Sequence, residues 1–357
     1  MNNTVKIVLI LIIITLVILG ILGSIYYFSQ QQAKLMYIRI NEKFNIGTQS
    51  DIRMGIEDCR VLAEKFPKSI YAPKALLKIG QGYEMLYDLT KNVDKLDIAE
   101  KEYYNVERKY SGTKEAQEAL FRIAHINYLR GNYEEAQEKL DYILAKYVNT
   151  PLKSKIYNEK GYIYLASGDY EKALKFFNMK DNFNTDEAFF GRALCYFKLE
   201  NYERAISIYE DFIRYRKISN VRKEVIENFI ETAYNYAKKL SDKEEYERAN
   251  LLFSKIIELF PENKIVENCL YWMGENYYSK KNYSKAIEIF NSVLNNKWKG
   301  KDADALFKLG ITYFELAKFE DALKYFQKII DNFASNPIYN KAVAWKRQTL
   351  REIKYRR

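Results

Sequence analysis

Hydrophobic and polar positions follow two regimes along this chain. From Ile7 to Phe28 the sequence reads IVLILIIITLVILGILGSIYYF, without a charge. At about 1.5 Å per residue such a helix is roughly 33 Å long, enough to cross the hydrocarbon core of a bilayer. After it, apolar residues recur three and four apart, the spacing that puts them on one face of a helix.

One ten-residue phrase is written five times in closely similar form. GNYEEAQEKL, GDYEKALKFF, ENYERAISIY, KNYSKAIEIF and AKFEDALKYF begin at Gly131, Gly168, Glu200, Lys281 and Ala317. Taking the small residue of each phrase as an anchor gives Ala136, Ala173, Ala205, Ala249, Ala286 and Ala322, with Ala99 and Gly55 as weaker members. Successive spacings are 44, 37, 37, 32, 44, 37 and 36, a repeat of thirty-odd residues with insertions.

Four residues after the anchors stand Cys59, Tyr103, Leu140, Phe177, Tyr209, Phe253, Phe290 and Phe326. Twelve before most anchors lies a second small residue, Ala124, Gly161, Ala193, Gly274 or Gly310, with an apolar residue four before it and usually a Tyr three after. Each repeat therefore predicts two amphipathic helices, whose small residues let the backbones approach while large neighbours fill the next groove.

Two departures predict local changes. Gly80 precedes Ala99 by 19 residues and Ala233 precedes Ala249 by 16, so longer hairpin arms are expected around Leu89–Leu96 and Leu240–Glu245. FNMKDNFNTD, between Phe177 and Glu187, shortens the second helix of its unit, and a change of superhelical pitch is expected near 178–186.

Composition agrees with a helical, aromatic-rich protein: 48% hydrophobic, 32 Tyr, 20 Phe, only 5 Pro. The catalytic inventory is thin. There is one His, and Cys59, Cys195 and Cys269 lie 136 and 74 residues apart, which suits separate buried thiols better than a disulfide or a metal clip. No Gly-rich phosphate loop, metal spacing or catalytic triad is written, so no catalytic, metal or cofactor residue is assigned and no small-molecule substrate is expected.

The formal charge of +10 is concentrated at one end. Residues 338–357 hold Lys341, Lys346, Arg347, Arg351, Lys354, Arg356 and Arg357 against Glu352 alone. With Ala342, Trp345, Thr349 and Ile353 on one face, this segment predicts a basic helix that caps the array and shows water its charged side. An excess of Lys over Arg looks like codon bias, and no nucleic acid is expected as a partner.

At this point the sequence resembles the tetratricopeptide repeat (TPR) family, a helical hairpin of about 34 residues. ALFKLGITYFELAKFEDALKYFQKIIDNFASNP (305–337) matches its pattern almost throughout, and the likeness recurs in register over about residues 50–337. The resemblance implies an all-α fold, a right-handed TPR solenoid of about eight helix-turn-helix repeats. The predicted division is a short tail (1–6), a transmembrane anchor (7–28), a juxtamembrane helix (29–49), the TPR array (50–337) and the basic capping helix (338–357).

The resemblance also implies where partners bind. In TPR arrays the second, fifth, ninth and twelfth residues of each first helix line the groove. Counting the small residue as eighth, these give Phe121, His125, Tyr128, Tyr162, Phe190, Phe197, Tyr234, Tyr271, Tyr278, Phe307 and Phe314. Glu118, Glu187, Glu227, Glu275 and Asp304 are interleaved, so an aromatic groove with an acidic edge is expected, part of whose rings serve as core between repeats. The fifth position is never Lys, so the carboxylate clamp of chaperone-binding TPRs is absent. His125 reads as a structural or groove histidine. The basic tail, Lys346, Arg347, Arg351, Lys354, Arg356 and Arg357, is a further surface that an acidic partner could meet.

The apolar run exceeds a signal-peptide core and lacks an A-x-A-like site, so it reads as an uncleaved anchor with Tyr26 and Tyr27 at an interface. Lys34, Arg39 and Lys43 follow it against Lys6 and the α-amine before it, a margin that leaves orientation open. Repeat ends such as EKFPKSIYAPKALLKIGQGY look like those of bacterial envelope TPR proteins of the outer-membrane assembly and Tol-Pal type. The layout is also similar to the anchored, translocon-associated TPR protein and to TPR components of the spirochaete periplasmic flagellar collar. These likenesses imply a non-catalytic scaffold in the bacterial inner membrane, its array in the periplasm, binding proteins or peptide segments of an envelope complex. A cytoplasm-facing regulator of an inner-membrane process and a flagellar-motor collar component in the periplasm are the alternatives.

Overall fold

Residues 3–356 are described in the computed structural model of the chain, with side chains from Ile10 onward. Met1 and Asn2 of the 1–6 tail and Arg357 of the basic tail lie outside the described residues. The described residues form seventeen helices and no strand. Two compact units result, Met1–Gly191 and Arg192–Arg357, each a stack of helical hairpins.

The first unit holds α1 (Asn3–Ile46) with α2 (Gln49–Lys65), α3 (Ala72–Thr90) with α4 (Asp94–Lys109), α5 (Lys114–Leu129) with α6 (Tyr133–Lys146), and α7 (Lys153–Ala166) with α8 (Tyr170–Phe177). The division falls within α9 (Asp186–Lys198). Beyond it come α10 (Tyr202–Tyr215), α11 (Arg222–Asp242) with α12 (Tyr246–Leu259), α13 (Ile265–Ser279) with α14 (Tyr283–Leu294), and α15 (Asp302–Glu315) with α16 (Phe319–Asn332). A last helix, α17 (Tyr339–Arg356), packs on α16.

In four hairpins a buried ring lies over the bare backbone of a glycine. A Cβ added to Gly161 would lie 2.6 Å from the Phe177 ring, and one on Gly274 or Gly310 would lie 2.5 Å from Phe290 or Phe326. Tyr103 stands over Gly80 in the same way. All these rings are fully buried. Phe177 touches Gly191 as well as Gly161, so one ring at the end of the short α8 serves two helices.

The recurrent phrase explains the turns. Its first residue takes the left-handed conformation that ends the first helix: φ is 80° at Gly131, 86° at Gly168, 57° at Glu200, 60° at Lys281 and 55° at Ala317. The following N–H bonds a carbonyl five residues back, Asn201 N to Tyr196 O and Asn282 N to Tyr277 O at 2.9 Å, as in a Schellman motif. In three of the five copies its second residue caps the next helix: the Asp169, Asn201 and Asn282 side chains accept from backbone N–H groups three residues on, at 3.1–3.2 Å.

The departures are visible too. α3 has 19 residues and α11 has 21 against 16 in α5, which lengthens the arms where the insertions lie, and α8 has only 8. The three cysteines are free and buried, and burial pushes each thiol up to about 12. On α17, Ala342 and Thr349 are fully buried and the Trp345 ring meets Phe314 at 5.2 Å.

α1 unites two segments that the sequence separates. Its apolar side chains from Ile10 to Phe28 are exposed, and an 18-residue window there has mean hydropathy 2.6. By length and composition this part can cross a membrane or act as a signal sequence. Without a break, the helix then buries Ala33, Ile40 and Phe44 in the first hairpin. Here the pairing is inverted, because Phe44 of the first helix stands over Gly55 of the second. Residues 29–46 of the expected 29–49 segment thus supply the first helix of the stack, while Thr48 caps α2 and Gln49 begins it.

Replacing Phe326 by Ala should lower stability by about 3–5 kcal/mol, seen as an earlier urea midpoint by circular dichroism, and an unchanged midpoint would contradict the packing. Ala317→Gly should stabilise by about 0.5–1 kcal/mol, because it relieves a left-handed alanine at a modest entropic cost. A lower thermal midpoint for this variant would contradict the turn geometry.

Candidate protein-binding face

Ten of the eleven expected groove residues are half-buried; Phe121 alone is buried. Their contacts sort by position. Fifth- and ninth-position rings lean on the buried ring of their own hairpin: Tyr162 on Phe177 at 5.1 Å, Tyr234 on Phe253 at 5.8 Å, Tyr271 on Phe290 and Phe307 on Phe326 at 6.0 Å. Twelfth-position rings meet the first residue of the second helix or, at Phe197, Tyr202: Tyr128 with Tyr133 at 6.1 Å, Phe197 with Tyr202 at 5.9 Å, Tyr278 with Tyr283 at 5.6 Å and Phe314 with Phe319 at 5.2 Å. Phe190 is also half-buried on α9. Each such pair uses part of its ring surface in packing within the chain.

On α5 His125 lies 6.0 Å from Tyr128 and bonds Glu159 of α7, and Glu275 with Lys308 joins α13, which carries Tyr271 and Tyr278, to α15, which carries Phe307 and Phe314. The basic tail stays on α17: Lys346 donates to Gln327 Oε1, and Arg356 lies 4.8 Å over the Phe319 ring. Arg347, Arg351 and Lys354 are exposed.

The acidic edge differs from expectation, because cations stand against most of it. Glu118 accepts from Arg122 Nε at 3.3 Å and pairs with Lys155 at 3.3 Å; Glu275 pairs with Lys308 at 2.6 Å and Asp304 with Lys301 at 3.3 Å. Glu227 lies 3.9 Å from Lys223, and Glu187 is exposed. Burial pushes the Glu275 carboxyl above its ordinary value against the pull of Lys308. The face is therefore aromatic with alternating charges.

Position six was missed in the sequence. It reaches back to the preceding first helix: Arg122 to Glu84 at 3.1 Å, Glu159 to His125 at 2.7 Å, Lys308 to Glu275 at 2.6 Å. The available signal was complementary charge between position six and position nine or twelve of the repeat before.

His125 has an electrostatic site of its own. Burial alone would lower its pKa, but the hydrogen bond and charge of Glu159, with Glu84 beyond, outweigh that and raise it. Glu84 is held above its ordinary value by burial, against Arg122. Among the described residues no group of three or more His, Cys, Asp or Glu is placed to hold a metal.

Away from this face, α10, α11 and α12 enclose a cavity lined by Ile206, Leu240, Leu251, Glu210 and Lys255, whose charged groups already pair across it.

The sequence profile described as "Tetratricopeptide repeat-like domain" matches residues 1–203, more than half of the chain. The chain belongs to the tetratricopeptide repeat family. A second profile, "Tetratricopeptide repeat", matches 268–296 and 304–336. No curated protein matches the chain. Similar solved structures include a tetratricopeptide repeat protein from Parabacteroides merdae, with 19% identity and TM-score 0.35 over 74% of this chain and 99% of that one. The apo form of RapI has 14% identity and TM-score 0.45 over 90% and 99%. Yeast Tom70 has 13% identity and TM-score 0.38 over 86% and 60%. As a TPR protein, this chain is a protein-interaction scaffold.

The raised His125 pKa contributes stability that is full below the unfolded value of about 6.5 and is lost as pH rises through the folded value. In an NMR titration the His125 midpoint should lie above 6.5, and Glu159→Gln should lower it. A midpoint unmoved by that substitution would contradict the pairing.

Proposed function

We propose that this protein is a membrane-anchored scaffold, with its repeats on the periplasmic side of a bacterial inner membrane, holding segments of other proteins in an envelope complex. The observation that carries the anchor is α1. Its apolar side chains from Ile10 to Phe28 are exposed along a helix that none of the other described residues covers, and a bilayer is the environment in which that surface is stable. The family profile begins at residue 1, which supports treating the apolar helix and the repeats as one inherited arrangement.

Half-buried rings alternating with charge suit an extended or helical protein segment that inserts apolar side chains and places polar groups between them. The periplasmic side rests on the likeness of the repeat ends to envelope TPR proteins. Lys34, Arg39 and Lys43 after the span, against Lys6 and the α-amine before it, leave the opposite placement, a cytoplasm-facing regulator, as the second reading.

Fusing alkaline phosphatase after Arg357, and separately a fluorescent protein that folds only in the cytoplasm, tests the side. Active phosphatase with a dark fluorophore is expected; fluorescence with inactive phosphatase would overturn the periplasmic reading.

A further inference from the structure

The loop between α2 and α3 is bound to α1 just past its apolar stretch. Gln30 Oε1 accepts from Ile70 N at 3.2 Å and from Ser69 Oγ at 3.3 Å, and Gln30 Nε2 donates to Lys68 O at 3.5 Å. Phe28, the last residue of the apolar run, is 65% exposed and only two residues earlier, about 3 Å along the helix axis. A headgroup layer extends about 5–7 Å beyond the hydrocarbon on each side. A helix that ends its span at Phe28 therefore carries this loop into the headgroups.

The loop has the chemistry for that place. Ile70 is 58% exposed, an apolar side chain left out of the hairpin core. Lys65 and Lys68 are exposed and Lys74 is half-buried, and no acidic residue interrupts the sequence from Lys65 to Lys78. Apolar insertion beside several cations is the pattern by which protein surfaces hold anionic bilayers. α3, 19 residues long, leads away from this level to Val93, which is 56% exposed at the far end about 28 Å distant.

We propose that the α2–α3 loop is a second membrane contact, in which Ile70 enters the interface and Lys65, Lys68 and Lys74 meet anionic phospholipid headgroups, seating the first unit against the bilayer that α1 crosses. The proposal rests on α1 being a membrane span.

The test uses the full-length chain in nanodiscs of phosphatidylcholine with or without phosphatidylglycerol. An environment-sensitive fluorophore is placed singly at Leu19→Cys, Ile70→Cys or Val93→Cys, the native thiols being buried. Lipids carrying a quencher in the headgroup or in the acyl chain report depth. Acyl-chain quenching at position 19 is expected, with headgroup quenching at position 70 several-fold greater than at 93. Phosphatidylglycerol should increase the quenching at 70, and Lys65→Glu/Lys68→Glu/Lys74→Glu should abolish that increase. Equal quenching at 70 and 93 with position 19 still quenched would overturn the second contact and leave the anchor standing. No quenching at 19 would overturn the anchor and the proposal with it. Quenching at 70 indifferent to phosphatidylglycerol would overturn the headgroup role of the lysines.

Discussion

An aromatic ring laid over a glycine sets how closely the two helices approach in the hairpins that hold Gly161, Gly274 and Gly310. Phe177 over Gly161, Phe290 over Gly274 and Phe326 over Gly310 leave no room for a methyl group. Close-packed interiors cannot absorb that volume without moving a helix. The same ring then supports the face that partners would meet, because Tyr162, Tyr271 and Phe307 rest on it. In these hairpins the packing and the proposed binding face depend on one repeated contact.

Electrostatics supplies the joint between neighbouring hairpins. Residues at position six reach back to acids or to His125 one repeat earlier. A pair that is half-buried and hydrogen-bonded constrains orientation more than it adds stability. At the other end of the first unit, the unbroken α1 turns a candidate membrane span into a structural element of the stack, so the first hairpin keeps a fixed relation to the apolar helix instead of hanging from a linker.

The repeating hairpins were legible because their signals have a period. Small anchors, buried aromatics and turn residues recur in register, and inserted turns showed as added residues before Ala99 and Ala249. Two features were not. The first hairpin was hidden because twelve residues before Gly55 stands Lys43, where other repeats have a small residue, and the roles of ring and glycine are exchanged between Phe44 and Gly55. The position-six pairs join residues some 33–38 apart, such as Arg122 with Glu84, and no local periodicity carries that information. Charge at the groove was read one helix at a time, so its acids looked bare until Lys155, Lys301 and Lys308 were placed beside them.

The central claim, that partners meet the half-buried first-helix rings, is tested most directly by site-specific photo-crosslinking in living cells. A photoreactive phenylalanine at Tyr162, Tyr278 or Phe307 is compared with one at the exposed second-helix sites Tyr142 and Leu251. The account predicts that the first-helix positions form the same discrete protein adducts and that the second-helix positions do not. Adducts confined to Tyr142 and Leu251 would contradict it.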